Sequence, residues 1–71
     1  MTEIRLDIRL NGQSHRISAN LTLAQLLSEL AVNPQKVAVA KNLEVIPRSL
    51  HDKTHLESGD EIEIFQAVGG G

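Results

Sequence analysis

Apolar and charged residues alternate strictly over residues 3 to 10 (EIRLDIRL). A period of two puts every apolar side chain on one face, which is typical of a strand that is buried on one side only. Asn11-Gly12 follows at once and is the preferred pair for a two-residue type I′ turn. Residues 13 to 18 (QSHRIS) are polar apart from Ile17, as expected of an edge strand. The pattern therefore predicts that a β-hairpin opens the domain.

Leucines at helical spacing follow the hairpin. Leu23, Leu26, Leu27 and Leu30 stand at positions i, i+3, i+4 and i+7, so they form one stripe on a helix of about nine residues. Thr22 precedes Gln25 by three residues, which is the spacing of a capping box at a helix start. Pro34 disfavours helical angles in the residue before it, so we expect the helix to end near residue 31 or 32.

Three further segments have the pattern of strands. Residues 37 to 40 (VAVA) are continuously apolar and small, which favours a strand covered on both faces. Val45 and Ile46 form a short extended piece that Pro47 ends, because proline cannot donate to a β-ladder. Residues 61 to 65 (EIEIF) alternate again and are predicted to form the last strand.

The intervening residues 48 to 58 are expected to be irregular or to form one helical turn, anchored by Leu50 and Leu56. One helix with a single apolar stripe covers only one face of a sheet, so the predicted fold is an α+β roll. Its first and last strands share one pattern, and we expect them to lie side by side and parallel over the helix. Residues 1 to 66 would form this single domain, and residues 67 to 71 a flexible tail.

The composition limits the function classes that fit. The 71 residues include no cysteine, which excludes disulfides, thiolate metal sites and a thiol nucleophile. The net charge of −2 argues against general nucleic-acid binding, which normally needs a basic patch. No apolar run approaches the ~20 residues that span a bilayer, and the N-terminal residues lack the apolar centre of a signal peptide. We therefore expect a cytoplasmic protein that does not associate with membranes.

Candidate catalytic and metal-binding residues are sparse. His51 and His55 stand four apart, as in some zinc sites, but no third ligand follows at a telling distance, so we expect surface histidines and no metal. His15 is expected to face solvent. Four carboxylates are interpreted as a solvated edge or a charged docking surface: Glu57, Asp60, Glu61 and Glu63. The chain is therefore not expected to be an enzyme on its own.

The chain ends in FQAVGGG. Phe65 has the opposite parity to Ile62 and Ile64, so we expect its side chain to point outward and, with Val68, to contact a partner. A glycine backbone has no side chains, so it can enter a channel too narrow for other residues. A terminal glycine carboxylate is also unhindered, and an ATP-using partner can activate such a group as an acyl-adenylate.

The middle of the chain (VAVAKNLEVIPRS) and its end (ESGDEIEIFQAVGGG) together resemble the ThiS family, the sulfur carriers of thiamine biosynthesis. The likeness covers the whole chain, and it depends on the order and spacing of motifs that are weak singly. Leu43 departs from it, because the family often has a small or polar residue in this turn. The resemblance implies a ubiquitin-like β-grasp fold, with a mixed sheet of four to five strands packed on one helix.

The resemblance also implies a mechanism. An E1-like adenylyltransferase would use MgATP to adenylate the carboxylate of Gly71, with no cofactor bound to the carrier itself. A sulfur-delivery protein would then convert this group into a thiocarboxylate, which would donate sulfur to thiazole synthase. Gly70 and Gly71 would carry the transfer, and Gly69 would lengthen the arm.

Other interpretations of the same pattern stay open. The small subunit of molybdopterin synthase shares the roll, the diglycine and the thiocarboxylate. Its members tend to be longer and richer in aromatic residues, whereas this chain has Phe65 alone. A carrier for another sulfur pathway, a ubiquitin-like modifier joined to lysines, and a binding module with an inert tail are further alternatives.

Overall fold

A computed structural model describes residues 4–66 of the chain. In chain order these form β1 (Arg5–Leu10), β2 (Gln13–Ser18), helix α1 (Leu23–Glu29), β3 (Val37–Lys41), β4 (Glu44–Ile46) and β5 (Glu61–Gln66). Two short 3-10 helices, Pro34–Lys36 and Arg48–Lys53, precede β3 and β5. No helix of this part of the chain is long and apolar enough to cross a membrane. The predicted tail, residues 67 to 71, lies outside the described residues.

The five strands form one mixed sheet in the order β2-β1-β5-β3-β4. β1 and β5 run parallel at its centre, with Arg9 opposite Glu61 and Leu10 opposite Ile62, and the other pairs are antiparallel. The predicted pairing of the first and last strands is therefore confirmed, and so is the β-grasp roll with a single helix. On the edge strand β2, His15 is half-buried and does not simply face solvent.

Helix α1 begins with the predicted capping box. The Thr22 hydroxyl accepts from the Gln25 amide at 3.2 Å, and the Gln25 side chain accepts from the Thr22 amide at 2.9 Å. The helix ends at Glu29, earlier than predicted, because Ala31 adopts a left-handed φ of 58°. A residue in this conformation turns the chain out of the helix.

The core lies between α1 and the inner face of the sheet. Three leucines of the predicted stripe are at most 1% exposed: Leu23, Leu26 and Leu27. Leu30, the last of the stripe, is only partly buried. The strands and loops contribute the remaining large apolar residues of the core, which are Ile8, Ile17, Leu21, Val39, Leu56 and Ile62. Burying each such side chain stabilises the fold by about 1.5–3 kcal/mol relative to exposure, so these residues hold the helix on the sheet.

The segment between β4 and β5 differs in part from the prediction. Leu56 is an anchor as expected, at 2% exposure, but Leu50 is 44% exposed and anchors nothing. The neighbouring His51 is buried in its place, at 4% exposure. In β3, Val39 and Ala40 are buried as expected of a strand covered on both faces, whereas the two residues before them are half-buried.

Both tight hairpins close with the positive φ values of a type I′ turn. Asn11 and Gly12 have φ of 50° and 83°, as the sequence predicts, and Asn42 and Leu43 have φ of 52° and 71°. Asparagine and glycine tolerate these angles, whereas leucine pays a steric cost for them. The Leu43 side chain is 82% exposed, so burial does not compensate for that cost.

Candidate functional site

The end of β5 presents Phe65 on the outer face of the sheet, away from the helix. Along this strand Ile62 is buried and Ile64 is half-buried on the helix side, whereas Phe65 is 48% exposed on the opposite face. The predicted outward orientation of Phe65 is therefore confirmed. Its docking role stays a prediction, and Val68 and the three glycines lie outside the described residues.

Phe65 borders an apolar surface that the sheet register brings together. Phe65 lies opposite Ala38 on β3, and Ala40 lies opposite Val45 on β4. Residues that are opposite or two apart in a sheet share a face, so these four side chains all point away from the helix. Val45 is 63% exposed, and Ala40 is buried beneath its neighbours. These four residues, termed the apolar patch, form a shallow surface with an alanine floor.

Charged side chains lie beside the apolar patch on the outer face. Glu61 and Glu63 continue the same face along β5, and Arg9 on β1 lies 3.9 Å from Glu61. Arg16 donates to Asp7 across the β1–β2 pair at 3.1 Å. The side chains of the two ion pairs are 47% or more exposed, so each pair contributes at most about 1 kcal/mol. The predicted charged surface is thus present at Glu61 and Glu63, where it adjoins the apolar patch.

Asp60, expected on the solvated edge, is buried at 6% exposure. Its carboxylate accepts from the Glu57 amide at 2.8 Å and from the Asn42 side chain at 3.1 Å, and Lys41 Nζ lies 3.7 Å away. Asn42 also accepts from the Glu61 amide at 2.9 Å. These residues, termed the Asp60 cluster, satisfy a carboxylate that burial would otherwise penalise. Asp60 therefore ties the β3–β4 turn to the start of β5, which corrects the sequence-based interpretation.

The two histidines considered as a metal-binding pair, His51 and His55, lie in different environments. His51 is buried, and its ring Nε2 donates to the Ile46 carbonyl at 3.1 Å, so the expectation of a surface residue is wrong there. Its Nδ1 has no hydrogen-bond partner among the described residues. His51 lines a cleft of about 280 Å³ together with Ser49 and Asp52, but its Nδ1 bonds neither of them. His55 is exposed as expected. In residues 4–66 no three potential ligands converge on a position for a metal ion.

Residues 8–71 match the model of the ThiS family. The chain belongs to that family. A crystal structure of thiamine biosynthesis protein ThiS from Geobacter metallireducens is 32% identical in sequence and superposes with a TM-score of 0.83. The superposition covers 93% of this chain and 100% of that one, so the β-grasp fold is shared over nearly the whole ThiS domain.

Two kinds of curated relative resemble this ThiS-family chain. The sulfur carrier protein ThiS of Escherichia coli is 30% identical over 66 residues, which are 93% of this chain and 100% of that protein. The thiazole synthase of Paramagnetospirillum magneticum is 42% identical over 62 residues, which are 87% of this chain but 19% of that protein. The thiazole synthase of Magnetococcus marinus is 39% identical over 66 residues, or 20% of its length. This chain thus spans about a fifth of each of these two relatives.

Proposed function

We propose that this chain is a sulfur carrier of thiamine biosynthesis and that the carboxyl group of Gly71 carries the sulfur. Membership of the ThiS family supports the role, as does the likeness to a sulfur carrier protein over that protein's full length. The structural observation that carries the proposal is the exposed Phe65, four residues before Gly69, on a strand at the centre of the sheet. We place this activity in the cytoplasm.

The chemistry at Gly71 takes two displacement steps. An E1-like adenylyltransferase binds MgATP, and the carboxylate attacks the α-phosphorus, so that an acyl–phosphate bond forms and pyrophosphate leaves. Sulfide from a sulfur-delivery protein then attacks the acyl carbon, so that a C–S bond forms and AMP leaves. The resulting thiocarboxylate is the sulfur nucleophile offered to thiazole synthase. The carrier supplies the acyl group and its partners supply catalysis.

The apolar patch is the proposed contact with the activating enzyme, and Val68 is proposed to contact the same partner. Phe65 is the largest exposed side chain of the patch, and buried aromatic anchors supply much of the energy of protein interfaces. Glu61 and Glu63 adjoin the patch, which favours a partner surface with basic residues at that side.

The names of the relatives favour the thiamine pathway over the alternatives. Two relatives at 42% and 39% identity are called thiazole synthase, which links ThiS-like segments to formation of the thiazole ring. The small subunit of molybdopterin synthase and a lysine-linked modifier share the proposed activation step. They differ in the acceptor of the acyl or sulfur group, so acceptor assays separate the three functions.

Removal of Gly70 and Gly71 tests the carrier function. The shortened chain should keep its fold, because the core lies within residues 4–66. It should lose both pyrophosphate exchange into ATP and the mass gain that follows replacement of one terminal oxygen by sulfur. Gly70→Ala is the matched full-length variant, and its added Cβ should slow activation by about 10²-fold if the channel is narrow. Full activity of the deletion variant would contradict the carrier function.

The acceptor assay tests the pathway. Thiocarboxylated protein should transfer sulfur to thiazole synthase and not to the large subunit of molybdopterin synthase. Transfer to the latter alone would overturn the thiamine assignment and leave the carrier chemistry intact. Isopeptide-linked adducts on lysines would identify a modifier.

A further inference from the structure

The central strand β5 extends past its neighbour β1, which leaves a gap in the sheet. β1 pairs with β5 at two positions, Arg9 opposite Glu61 and Leu10 opposite Ile62. The chain then turns away through the type I′ turn into β2. On the other side, β5 stays paired with β3 as far as its last residue, Gln66. Within the described residues, positions 64–66 therefore have a neighbouring strand on one side only.

The hydrogen bonds on the β1 side show which backbone groups face this gap. The Ile62 carbonyl accepts from the Asn11 amide at 2.9 Å, and the Ile64 amide donates to the Asn11 side-chain oxygen at 2.8 Å. Asn11 thus closes the near end of the gap. Backbone groups of alternate residues point the same way along a strand, so the Ile64 carbonyl and the Gln66 amide face the gap beyond Asn11.

The backbone groups of the other parity are engaged by β3. The Asn42 amide donates to the Glu61 carbonyl at 2.8 Å, and Glu63 and Phe65 share the parity of Glu61. The Phe65 amide therefore belongs to the β3–β5 ladder, whereas the Gln66 amide does not. A change confined to the Gln66 amide should leave the ladder intact.

The gap and the two outer edges of the sheet differ in how their backbone groups are blocked. Unpaired strand edges accept further strands, so proteins usually block them with polar residues, short strands or proline. β2 is polar apart from Ile17, and β4 has three residues and is followed by Pro47. Residues 64–66 contain no proline, and on the gap side the Asn11 side chain engages only the Ile64 amide.

We propose that an extended segment of thiazole synthase adds a short strand in this gap, alongside residues 64–66. The inference rests on the proposed function. Residues 64–66 are separated by two residues from the glycines, which have no side chains to hold, so a partner that uses the terminal group gains by binding the backbone itself. Thiazole synthase is the occupant because two relatives of that name contain a ThiS-like segment in their own chain. Phe65 lies at the same place, so the added strand would be continuous with the apolar patch.

Amide hydrogen exchange tests this pairing on the unaltered protein. The Gln66 amide should exchange rapidly in the free chain, and saturation with thiazole synthase should slow its exchange by at least about tenfold. The Phe65 amide is the internal control, because β3 should already protect it in the free chain. An unchanged Gln66 rate in the saturated complex would overturn the proposal. Slowing by the activating enzyme alone would overturn the choice of partner.

Gln66→Pro provides an independent test, because proline has no amide hydrogen to offer the added strand. The variant should keep the natural melting temperature, and its affinity for thiazole synthase should fall about tenfold, as expected for the loss of backbone hydrogen bonding. Gln66→Ala, which keeps the amide, should bind as the natural chain does. Natural affinity of Gln66→Pro, with normal thiocarboxylation, would overturn the strand pairing and leave the proposed function standing. Failure of the natural chain to be thiocarboxylated would instead contradict the proposed function.

Discussion

The two ends of β5 are held in different ways. Near its start, Ile62 is fully buried. Asp60, the residue before the strand, is fixed by the hydrogen bonds of the Asp60 cluster. At its end Phe65 and Gln66 are exposed, and β1 has already turned away. One six-residue strand is therefore part of the core at one end and accessible surface at the other. Substitutions at the start should act on stability, and substitutions at the end should act on partner binding.

The largest effect on stability is expected at Ile62, which is 0% exposed. Ile62→Ala should lower the free energy of unfolding by about 2–5 kcal/mol, because it removes buried methyl groups and leaves a cavity between the sheet and α1. Urea titration followed by circular dichroism measures this loss. Ile64→Ala, at a half-buried position of the same parity, is the matched control and should cost less. Equal losses at the two positions would contradict the difference between the two ends.

Asp60→Ala should have the next largest effect, a loss of about 1–3 kcal/mol of unfolding free energy. The substitution removes the Asp60 acceptor of the Asn42 side-chain NH2 group and of the Glu57 amide, and it removes the charge opposite Lys41. A double-mutant cycle with Asn42→Ala checks the assignment, because residues in one network should show a coupling energy of at least about 0.5 kcal/mol. Strictly additive losses would show that the two side chains do not stabilise each other.

Asp60 also shows which structural features a local sequence pattern can predict and which it cannot. The alternation of residues 61 to 65 predicts the strand and its two faces correctly, because a period of two is a local property. The burial of Asp60 depends on Asn42, which is 18 positions away in the chain. Nearby acidic residues make the segment look solvated, and no local pattern distinguishes the one carboxylate that turns inward. The two segments that resemble the ThiS family include both residues, but a resemblance in sequence does not reveal the contact between them.

The burial of His51 in place of Leu50 could not be predicted from the local pattern either. Hydropathy favours burial of the leucine, but the direction of the 3-10 helix Arg48–Lys53 decides which side chain faces inward. The Ile46 carbonyl then satisfies one ring nitrogen of His51 and allows the ring to be buried. The proposed reaction at Gly71 is different in kind. The reaction depends on residues without side chains, and glycines are identified from the sequence alone. This part of the candidate site can therefore be predicted without knowing the fold.

A smaller effect, on binding and not on stability, is expected at Phe65. Phe65→Ala should weaken binding to the activating enzyme by about 1 kcal/mol or more, because it removes the aromatic member of the apolar patch. Its free energy of unfolding should change by less than that of Ile62→Ala, since the side chain is already 48% exposed. Calorimetric titration and urea unfolding of the same variant give the two values. Natural affinity together with a destabilised fold would show that Phe65 serves the core.

The smallest effect is expected at Leu43, in the turn that the Asp60 cluster joins to the start of β5. Leu43 occupies the second turn position with a φ of 71°, which costs a residue with a Cβ roughly 1–2 kcal/mol. Leu43→Gly relieves that cost but adds about 0.5–1 kcal/mol of conformational entropy to be lost on folding, so a net stabilisation of about 0.5–1 kcal/mol is expected. Urea unfolding measures the change.

Gly12→Ala is the matched control, because Gly12 holds the same turn position in the first hairpin, with a φ of 83° and open space around it. Its added methyl group meets no neighbour, so its cost reports backbone strain alone, and it should destabilise the fold by about as much as Leu43→Gly stabilises it. If Leu43→Gly raises the free energy of unfolding and Gly12→Ala lowers it, Leu43 is strained and makes no compensating contact. A loss of stability in Leu43→Gly would instead show that the leucine makes stabilising contacts within the chain. The β3–β4 turn would then contribute, through this side chain, to the stability of the start of β5.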